Sequence, residues 1–249
     1  MIQKITSGML RKKFCGQQKD MAVQIQDLRM VFDEKAEALR SISLNIKRGH
    51  QVSIVGPPGS GKTTLLQCIA GKLCPKQGSV RRDARIADIE KESNLHVSKT
   101  VLDNVLNATL SPFKYFKKLL GFRTKDRERA AEIIDLVGLS GDINTPISKL
   151  NSGKKMQVAL AKALMRKPQI ILADTPYVGQ SDPESYTTLK ALHRLAKKNK
   201  ITTISVVRDF DEARQYSNQI VCLEQGSVTY DGTSSDPWPP RRIYWSSPQ

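Results

Sequence analysis

A glycine-rich stretch in the first quarter of the chain has the residue types of a phosphate-binding loop. The stretch GPPGSGKTT fits the pattern G-x-x-x-x-G-K-[ST], follows the strand-like run QVSIV and opens the helix-like run TLLQCIA. Glycines let the backbone curl so that its N–H groups point at phosphate oxygens, and the helix N-terminus adds partial positive charge. We therefore predict that Lys62 reaches the phosphates and that the Thr63 hydroxyl ligates Mg²⁺. The predicted nucleotide-binding residues of this loop are Gly56, Pro57, Pro58, Gly59, Ser60, Gly61, Lys62, Thr63 and Thr64.

The stretch ILADTPYVG, residues 171–179, carries the second chemical element. An apolar, strand-like run ends there in Asp174, a carboxylate suited to the Mg²⁺ ion of the same site. The next position, where a nucleotide-hydrolysing enzyme has a carboxylate, is Thr175. A threonine hydroxyl cannot act as a general base at neutral pH. The two stretches together predict a nucleotide site with impaired hydrolysis.

The elements that would hold these residues alternate between strands and helices. Residues 22–55 change polarity like paired antiparallel strands, and residues 219–232 have the pattern of a terminal hairpin. Helical spacing is found at 61–73, 100–137, 153–167 and 187–199, and buried strand-like runs are found at 169–174 and 201–209. This alternation predicts an α/β fold with a parallel central sheet and an antiparallel piece at the front.

Composition narrows the class of protein. With 249 residues, 39% of them hydrophobic, the chain can bury a core, and its longest apolar runs fall far short of the roughly 20 residues that span a bilayer. The four cysteines lack CxxC spacing and are typical of reduced thiols, and the three histidines lack metal-ligand spacing. The net charge of +16 favours an anionic partner, such as nucleotide, lipid headgroups or nucleic acid, or is simply a solvated basic surface.

The chain resembles the nucleotide-binding subunits of ABC transporters over residues 22–233. The resemblance runs through LRSISLNIKRGHQVSIVGPPGSGKTTLLQCIAGKL, then RAAEIIDLVGL, then ISKLNSGKKMQVALAKALMRKPQIILADTP. It implies a P-loop ABC ATPase fold with a parallel core sheet, an antiparallel β subdomain and an inserted α-helical subdomain at about 87–165. Residues 1–21 would be a basic extension and residues 234–249 a Pro- and Ser-rich tail. The tripeptide LAD, residues 172–174, favours the branch of this family that serves lipoprotein export, macrolide efflux and cell division.

The resemblance also implies functional positions and cofactors. ATP and Mg²⁺ are the expected cofactors, Phe32 lies where the family places a ring against adenine, and Thr63 with Asp174 would hold the metal. In such proteins two domains sandwich two ATP molecules, each held by one subunit's P-loop and the other subunit's signature motif. The family signature LSGGQ is replaced here by Leu150, Asn151, Ser152, Gly153 and Lys154.

Three further positions depart from the family pattern and predict a degenerate catalytic site. The catalytic glutamate falls on Thr175, the switch histidine falls on Arg208, and the metal-sensing glutamine falls on or beside Lys91. Each loss removes a separate contribution to the transition state, typically about two to four orders of magnitude in rate. Competent catalytic residues are therefore not predicted.

We expect the chain to be an ATP-binding subunit of a membrane transport complex with impaired hydrolysis. It would be held on the cytoplasmic face of the membrane by a transmembrane permease. The expected partner is a second, active ABC ATPase subunit, with a hetero-dimer favoured over a homo-dimer; an anionic lipid surface is a further candidate, and nucleic acid is disfavoured. Two alternatives stay open: a self-paired active ATPase that drives transport, and an ABC-like factor acting on nucleic acid or ribosomes. Residues 111–123, which interleave aromatics and bases, are either subdomain core or a surface for a membrane or permease.

Overall fold

The computed structural model describes residues 20–32, 36–89, 94–109, 122–174, 183–207 and 210–236, and for residues 183–189 the backbone alone. The strands in this part of the chain are β1 (Met21–Phe32), β2 (Ala36–Lys47), β3 (Gln51–Val55), β4 (Gln77–Arg82), β5 (Ile86–Asp88), β6 (Ile170–Ala173), β7 (Thr202–Val206), β8 (Gln219–Glu224) and β9 (Ser227–Thr233). The α-helices are α1 (Lys62–Ala70), α2 (Val101–Asn107), α3 (Thr124–Leu136), α4 (Ser152–Met165), α5 (Pro183–Asn199) and α6 (Phe210–Tyr216).

A six-stranded sheet forms the centre of the molecule, in the order β5-β6-β7-β3-β8-β9. The pairs from β5 to β8 are parallel, and β9 returns antiparallel to β8. All residues of β3, β6 and β7 are buried, as expected for parallel strands covered on both faces. Because β3 leads into the phosphate loop and β6 leads into Asp174, both features lie at the carboxyl-terminal edge of the sheet, where open α/β sheets bind ligands.

A separate three-stranded antiparallel sheet has the order β2-β1-β4. The prediction of paired strands over residues 22–55 is right for β1 and β2 but wrong for β3, which lies between β7 and β8 in the central sheet. The physical reason is burial: β2 alternates between buried and exposed residues, whereas β3 is buried throughout and needs cover on both faces. Strand β4 was not predicted, because its sequence QGSVRR has a single apolar residue.

Two hydrophobic clusters cover the two faces of the central sheet. One joins the antiparallel sheet and α1 to side chains such as Ile54, Leu172 and Ile204. The other joins α2, α3, α4 and α5 to Ile171 and Ala173. Neighbouring residues of β6 thus point to opposite clusters. The predicted fold class, with its parallel core, antiparallel sheet and helical layer, is confirmed, whereas the boundaries 87–165 of the helical subdomain stay a prediction.

Two further features bear on the predictions made from composition. Within the described ranges, the helices are all too short or too polar to cross a bilayer. Cys68 and Cys222 are buried free thiols and Cys74 is an exposed one. Cys15 and the aromatic and basic residues 111–121 lie outside the described residues.

Candidate functional site

The phosphate loop connects β3 to α1, and its glycines are required by close backbone contacts. A Cβ atom on Gly56 would lie 2.3 Å from the Leu223 carbonyl oxygen, and one on Gly61 would lie 2.5 Å from the Ala38 carbonyl oxygen. Gly61 also has φ of 100° as the N-cap of α1, a conformation that L side chains rarely adopt. By contrast, the space around Gly59 is open at the exposed crest of the loop. Close backbone contacts therefore require glycine at both ends of the loop, whereas its middle is exposed and has space around it.

The Lys62 ammonium group is held inside this loop. Its Nζ atom donates hydrogen bonds to the carbonyl oxygens of Gly56 and Pro57, both at 2.7 Å, and a longer one of 3.4 Å to the Ser60 hydroxyl. Burial lowers the pKa of Lys62, and the Asp174 carboxylate acts in the opposite direction and raises it. The cation of the loop and the carboxylate after β6 are therefore close enough to interact electrostatically.

The loop and its surroundings fit a nucleotide with Mg²⁺. Thr63 is exposed in the first turn of α1, and Asp174 lines a cavity of about 190 Å³ that runs along α1. Groups of three or more His, Cys, Asp or Glu side chains that could hold a metal by themselves are absent from the described ranges. The predicted Mg²⁺ ligands, the Thr63 hydroxyl and the Asp174 carboxylate, would hold the ion together with phosphate oxygens. Bound there, Mg²⁺ would neutralise charge on the phosphates.

The signature-like segment forms the start of α4, and its Asn151 and Lys154 side chains have local partners. Asn151 is the N-cap residue: its side-chain oxygen accepts a hydrogen bond of 2.9 Å from the Lys154 backbone N–H. The Lys154 ammonium group lies 2.8 Å from an Asp142 carboxylate oxygen. Leu150 is buried before the helix, and Ser152 and Gly153 form its first turn. The substitutions therefore give a capped, well-ordered helix start.

Phe32 ends β1 opposite Ala36, and its side chain is 39% exposed. Ala38, two residues along β2 from Ala36, is the residue whose carbonyl oxygen contacts Gly61. This places the hairpin end that carries Phe32 on the side of the antiparallel sheet that adjoins the phosphate loop. An exposed ring there is available for stacking, and its contact with adenine stays a prediction.

The three predicted degenerate positions, Lys91, Thr175 and Arg208, lie outside the described residues. Their chemistry follows from their residue types and from the strands that precede them. Thr175 comes two residues after β6, and Arg208 comes two residues after β7. Both strands end at the edge that carries the phosphate loop, and the location of these residues at the site stays a prediction.

Two contacts at the site were not predicted from the sequence. Ser60 is buried, and its carbonyl oxygen accepts a hydrogen bond of 3.1 Å from Gly226 in the β8–β9 turn. Asp88, beside Asp174 in the cavity wall, forms an ion pair with Lys72. Neither contact has a sequence signal, because each joins residues that are distant in the chain or lie on different elements.

Comparisons with known proteins identify the family. The model of the ABC transporter family matches residues 39–178, more than half of the chain. The chain is 31% identical over 235 residues to the phosphonates import ATP-binding protein PhnC of Shigella sonnei, covering 85% of this chain and 89% of that protein. It is 27% identical over 231 residues to PhnC 3 of Nostoc, covering 87% and 88% respectively.

Solved structures agree with this family. A nucleotide-free ATP-binding cassette from an ABC transporter superposes with a TM-score of 0.74 at 23% identity, over 86% of this chain and 91% of that one. A dimeric ATP-binding cassette bound to ADP and phosphate superposes with a TM-score of 0.70 at 28% identity, over 86% and 99%.

The expected branch of lipoprotein export, macrolide efflux and cell division is not confirmed, since the relatives named above are phosphonate import proteins. ATP-binding subunits of this family work with transmembrane permease components, which agrees with the expected permease partner. The match of motif, fold and relatives settles the class: the chain belongs to the ABC transporter family, as an ATP-binding subunit whose cofactors are ATP and Mg²⁺.

Proposed function

We propose that this chain is a catalytically impaired ATP-binding subunit that works beside a second, hydrolytically competent one in a transport complex. A single contrast carries the proposal. The phosphate loop is complete, with Lys62 held in it and coupled to Asp174, whereas the residue after Asp174 is a threonine. Binding and hydrolysis use different groups, so a chain can keep the first function and lose the second.

The binding half rests on the geometry of the loop. Backbone N–H groups, Lys62 and the α1 N-terminus all favour negative charge at one point. We propose residues Gly56 to Thr64 as the nucleotide cradle, Thr63 and Asp174 as the Mg²⁺ ligands, and Phe32 as the adenine contact. The intact loop supports tight binding of ATP·Mg²⁺.

The impaired half rests on three residue types. Thr175 offers no general base, Arg208 offers a fixed cation in place of a proton-exchanging histidine, and Lys91 offers a cation where an amide would orient water. Extra cations can hold the nucleotide tightly in its ground state. Binding the ground state and the transition state equally well does not raise turnover.

The substituted signature supports an asymmetric pair of subunits. In a dimer of this chain with itself, both composite sites would join a P-loop without a base to a signature whose Asn151 caps its own helix and whose Lys154 is paired with Asp142. Beside an intact subunit, the partner's P-loop and glutamate would face this altered signature, and this P-loop would face an intact signature. One site would then turn over and the other would mainly bind.

The relatives provide the transport context. Because PhnC proteins are named for phosphonate import, a phosphonate-import permease is the first membrane partner to test. Docked on such a permease, the chain would lie on the cytoplasmic face of the membrane.

The test has two parts. The first is calorimetric titration of ATP·Mg²⁺ into the full chain: the unaltered chain and a Lys125→Ala control should bind, and Lys62→Ala should weaken binding about tenfold or more, as loss of a charge-assisted contact predicts. Lys125 is a matched control because it is an exposed lysine on α3. Absence of binding in the unaltered chain would contradict the binding half.

The second part concerns the partner. The tagged chain is purified in detergent from the membranes of its own cells, and its companions are identified by mass spectrometry. We expect a permease and a second ATP-binding subunit, with phosphate release abolished by loss of that subunit's glutamate. A complex with two copies of this chain and no second ATPase, hydrolysing ATP at a typical rate, would refute the proposed role.

A further inference from the structure

A second cavity, of about 440 Å³, opens on the side of the molecule away from the nucleotide site. Three of its lining residues, Arg85, Gln169 and Ile201, immediately precede β5, β6 and β7. They therefore lie at the amino-terminal edge of the parallel strands, whereas the phosphate loop and Asp174 lie at the carboxyl-terminal edge. We call this space the rear cavity; helices α3, α4 and α5 supply its other walls.

The rim of the rear cavity is basic. Arg85, Arg129 and Lys167 line it, against the single acidic residue Glu132. The Nε atom of Arg129 is buried and has no hydrogen-bond partner in the described part of the chain. A buried donor of a charged group without an acceptor is costly, and the negative charge of an anion in the cavity that Arg129 lines would stabilise this guanidinium.

Hydrogen bonds fix the strand-edge wall of the rear cavity. The Arg85 guanidinium donates through Nε to the Lys167 carbonyl oxygen at 3.1 Å, and the Arg85 N–H donates to the side-chain oxygen of Gln169 at 3.2 Å. The Gln169 N–H in turn donates to the Arg85 carbonyl oxygen at 2.8 Å. These bonds hold the Arg85 guanidinium in place and tie it to the backbone of Lys167, the residue that supplies the second cation.

The floor of the rear cavity is aliphatic. It consists of Ile133, Leu136, Leu164, Leu195 and Ile201. Leu136 is 49% exposed, which leaves apolar surface for a ligand to cover. The described lining of the rear cavity includes no aromatic ring on which a nucleobase could stack. A basic rim above an aliphatic floor therefore matches neither a nucleotide nor a bare inorganic anion.

We propose that the rear cavity binds a single-chain amphiphilic anion. The phosphate or carboxylate head would lie between Arg85, Arg129 and Lys167, and the hydrocarbon chain would cover the floor around Leu136. The volume falls within the roughly 300–1,000 Å³ of typical small-molecule sites. This site is separate from the nucleotide site and does not depend on the proposed catalytic impairment.

The test uses octyl phosphate, below its aggregation concentration, titrated calorimetrically into the full chain saturated with ATP·Mg²⁺. We expect saturable binding of one molecule per chain. Octyl glucoside has the tail without the charge and should not bind measurably. Butyl phosphate should bind about tenfold more weakly or worse, because four fewer methylenes are buried. Equal affinity for octyl phosphate and octyl glucoside, or for octyl and butyl phosphate, would overturn the proposal.

Variants locate the site. Arg129→Gln should weaken octyl phosphate binding about tenfold or more, since it removes a charge-assisted hydrogen bond. Arg127→Gln is the matched control, because Arg127 is an exposed arginine on the same helix outside the cavity, and it should change affinity less than about twofold. Lys167→Asn removes a second rim cation. Lys167 has φ of 52°, a conformation that asparagine tolerates. Because Lys167 lies outside α3, this variant should weaken binding even if Arg129→Gln disturbs the folding of that helix.

Lys62→Ala separates the rear cavity from the phosphate loop, which also attracts phosphate. Titrated without nucleotide, this variant should keep the octyl phosphate affinity of the unaltered chain saturated with ATP·Mg²⁺. Loss of binding in Lys62→Ala would assign the ligand to the phosphate loop and overturn the proposal. Equal losses in Arg127→Gln and Arg129→Gln would assign it to general surface charge, with the same consequence.

Discussion

The buried imidazole of His193 predicts a measurable pH dependence of stability. His193 lies on α5, is 4% exposed, stacks on Tyr216 with ring centroids 5.3 Å apart, and has its Nδ1 atom 3.1 Å from the Gln51 side-chain oxygen. The Gln51 amide nitrogen donates to the His193 carbonyl oxygen at 3.0 Å, so the Gln51 oxygen faces the ring and Nδ1 is the donor. The Nε2 atom is then a buried acceptor, unpartnered within the described residues.

Protonation at Nε2 would bury a charge without an acceptor, and burial accordingly lowers the pKa of His193 from 6.5 to about 4. Between these two values the unfolded chain binds a proton that the folded chain rejects, so the free energy of unfolding falls as the pH falls below about 6.5. For a shift of this size, His193 alone removes about 2 kcal/mol of stability between pH 7.5 and pH 5.

The perturbation is His193→Phe, which keeps a ring against Tyr216 and cannot titrate. Loss of the hydrogen bond to Gln51 should cost about 1 kcal/mol at pH 7.5. The informative quantity is the change between pH values: the loss of unfolding free energy from pH 7.5 to pH 5 should be about 2 kcal/mol smaller in the variant than in the unaltered chain. Urea denaturation of the full chain at constant ionic strength measures it.

His50→Gln is the control variant. The pKa of His50 is also lowered, by burial and by Lys47, with Asp20 acting in the opposite direction, but its ring keeps contact with water. We therefore expect His50→Gln to retain most of the pH dependence. If His193→Phe and the unaltered chain lose the same free energy on acidification, the burial argument is wrong.

Three other changes test the site itself. Thr175→Glu should raise the rate of steady-state phosphate release less than about tenfold, because positions 91 and 208 stay substituted. Lys62→Ala is the control for contaminating ATPases. A rise of about a hundredfold would show that Thr175 alone impairs the site. Gly61→Ala should lower the midpoint of thermal unfolding strongly, since its Cβ would lie 2.5 Å from a carbonyl oxygen, whereas Gly141→Ala meets no atom within 4 Å and should be close to neutral. Asn151→Ala should cost about 1 kcal/mol in urea denaturation by loss of the α4 cap, and an unchanged stability would deny that role.

Short-range patterns predicted the local parts of this molecule. The phosphate loop was predictable because its glycines, lysine and threonine act through the backbone within nine residues, and the strands β6 and β7 were predictable because continuous apolar runs are typical of buried parallel strands. The location of β3 was not, since alternation beside β2 resembles a hairpin until burial on both faces is known.

Long-range contacts lay beyond the sequence patterns. His193 and Gln51 are 142 residues apart, and a histidine without ligand spacing gives no sign that it is a buried hydrogen-bonding partner. The rear cavity is similar, because Arg85, Arg129 and Lys167 come from three separate segments and each one alone resembles a solvated surface cation.

The contacts of the phosphate loop give it a structural role in the fold beside its role in nucleotide binding. Gly56 and Gly61 pack against carbonyl oxygens of β8 and β2, so substitution there disturbs the core as well as the nucleotide site. The described strand pairs of β6 and β7 extend to Ala173 and Val206, which precede Thr175 and Arg208 in the sequence. If hydrolysis is impaired as we propose, the fold would still require the two loop glycines, because their close contacts do not depend on catalysis. An intact loop therefore indicates nucleotide binding and does not by itself indicate hydrolysis. Hydrolysis also depends on residues such as those at positions 175 and 208, which follow β6 and β7.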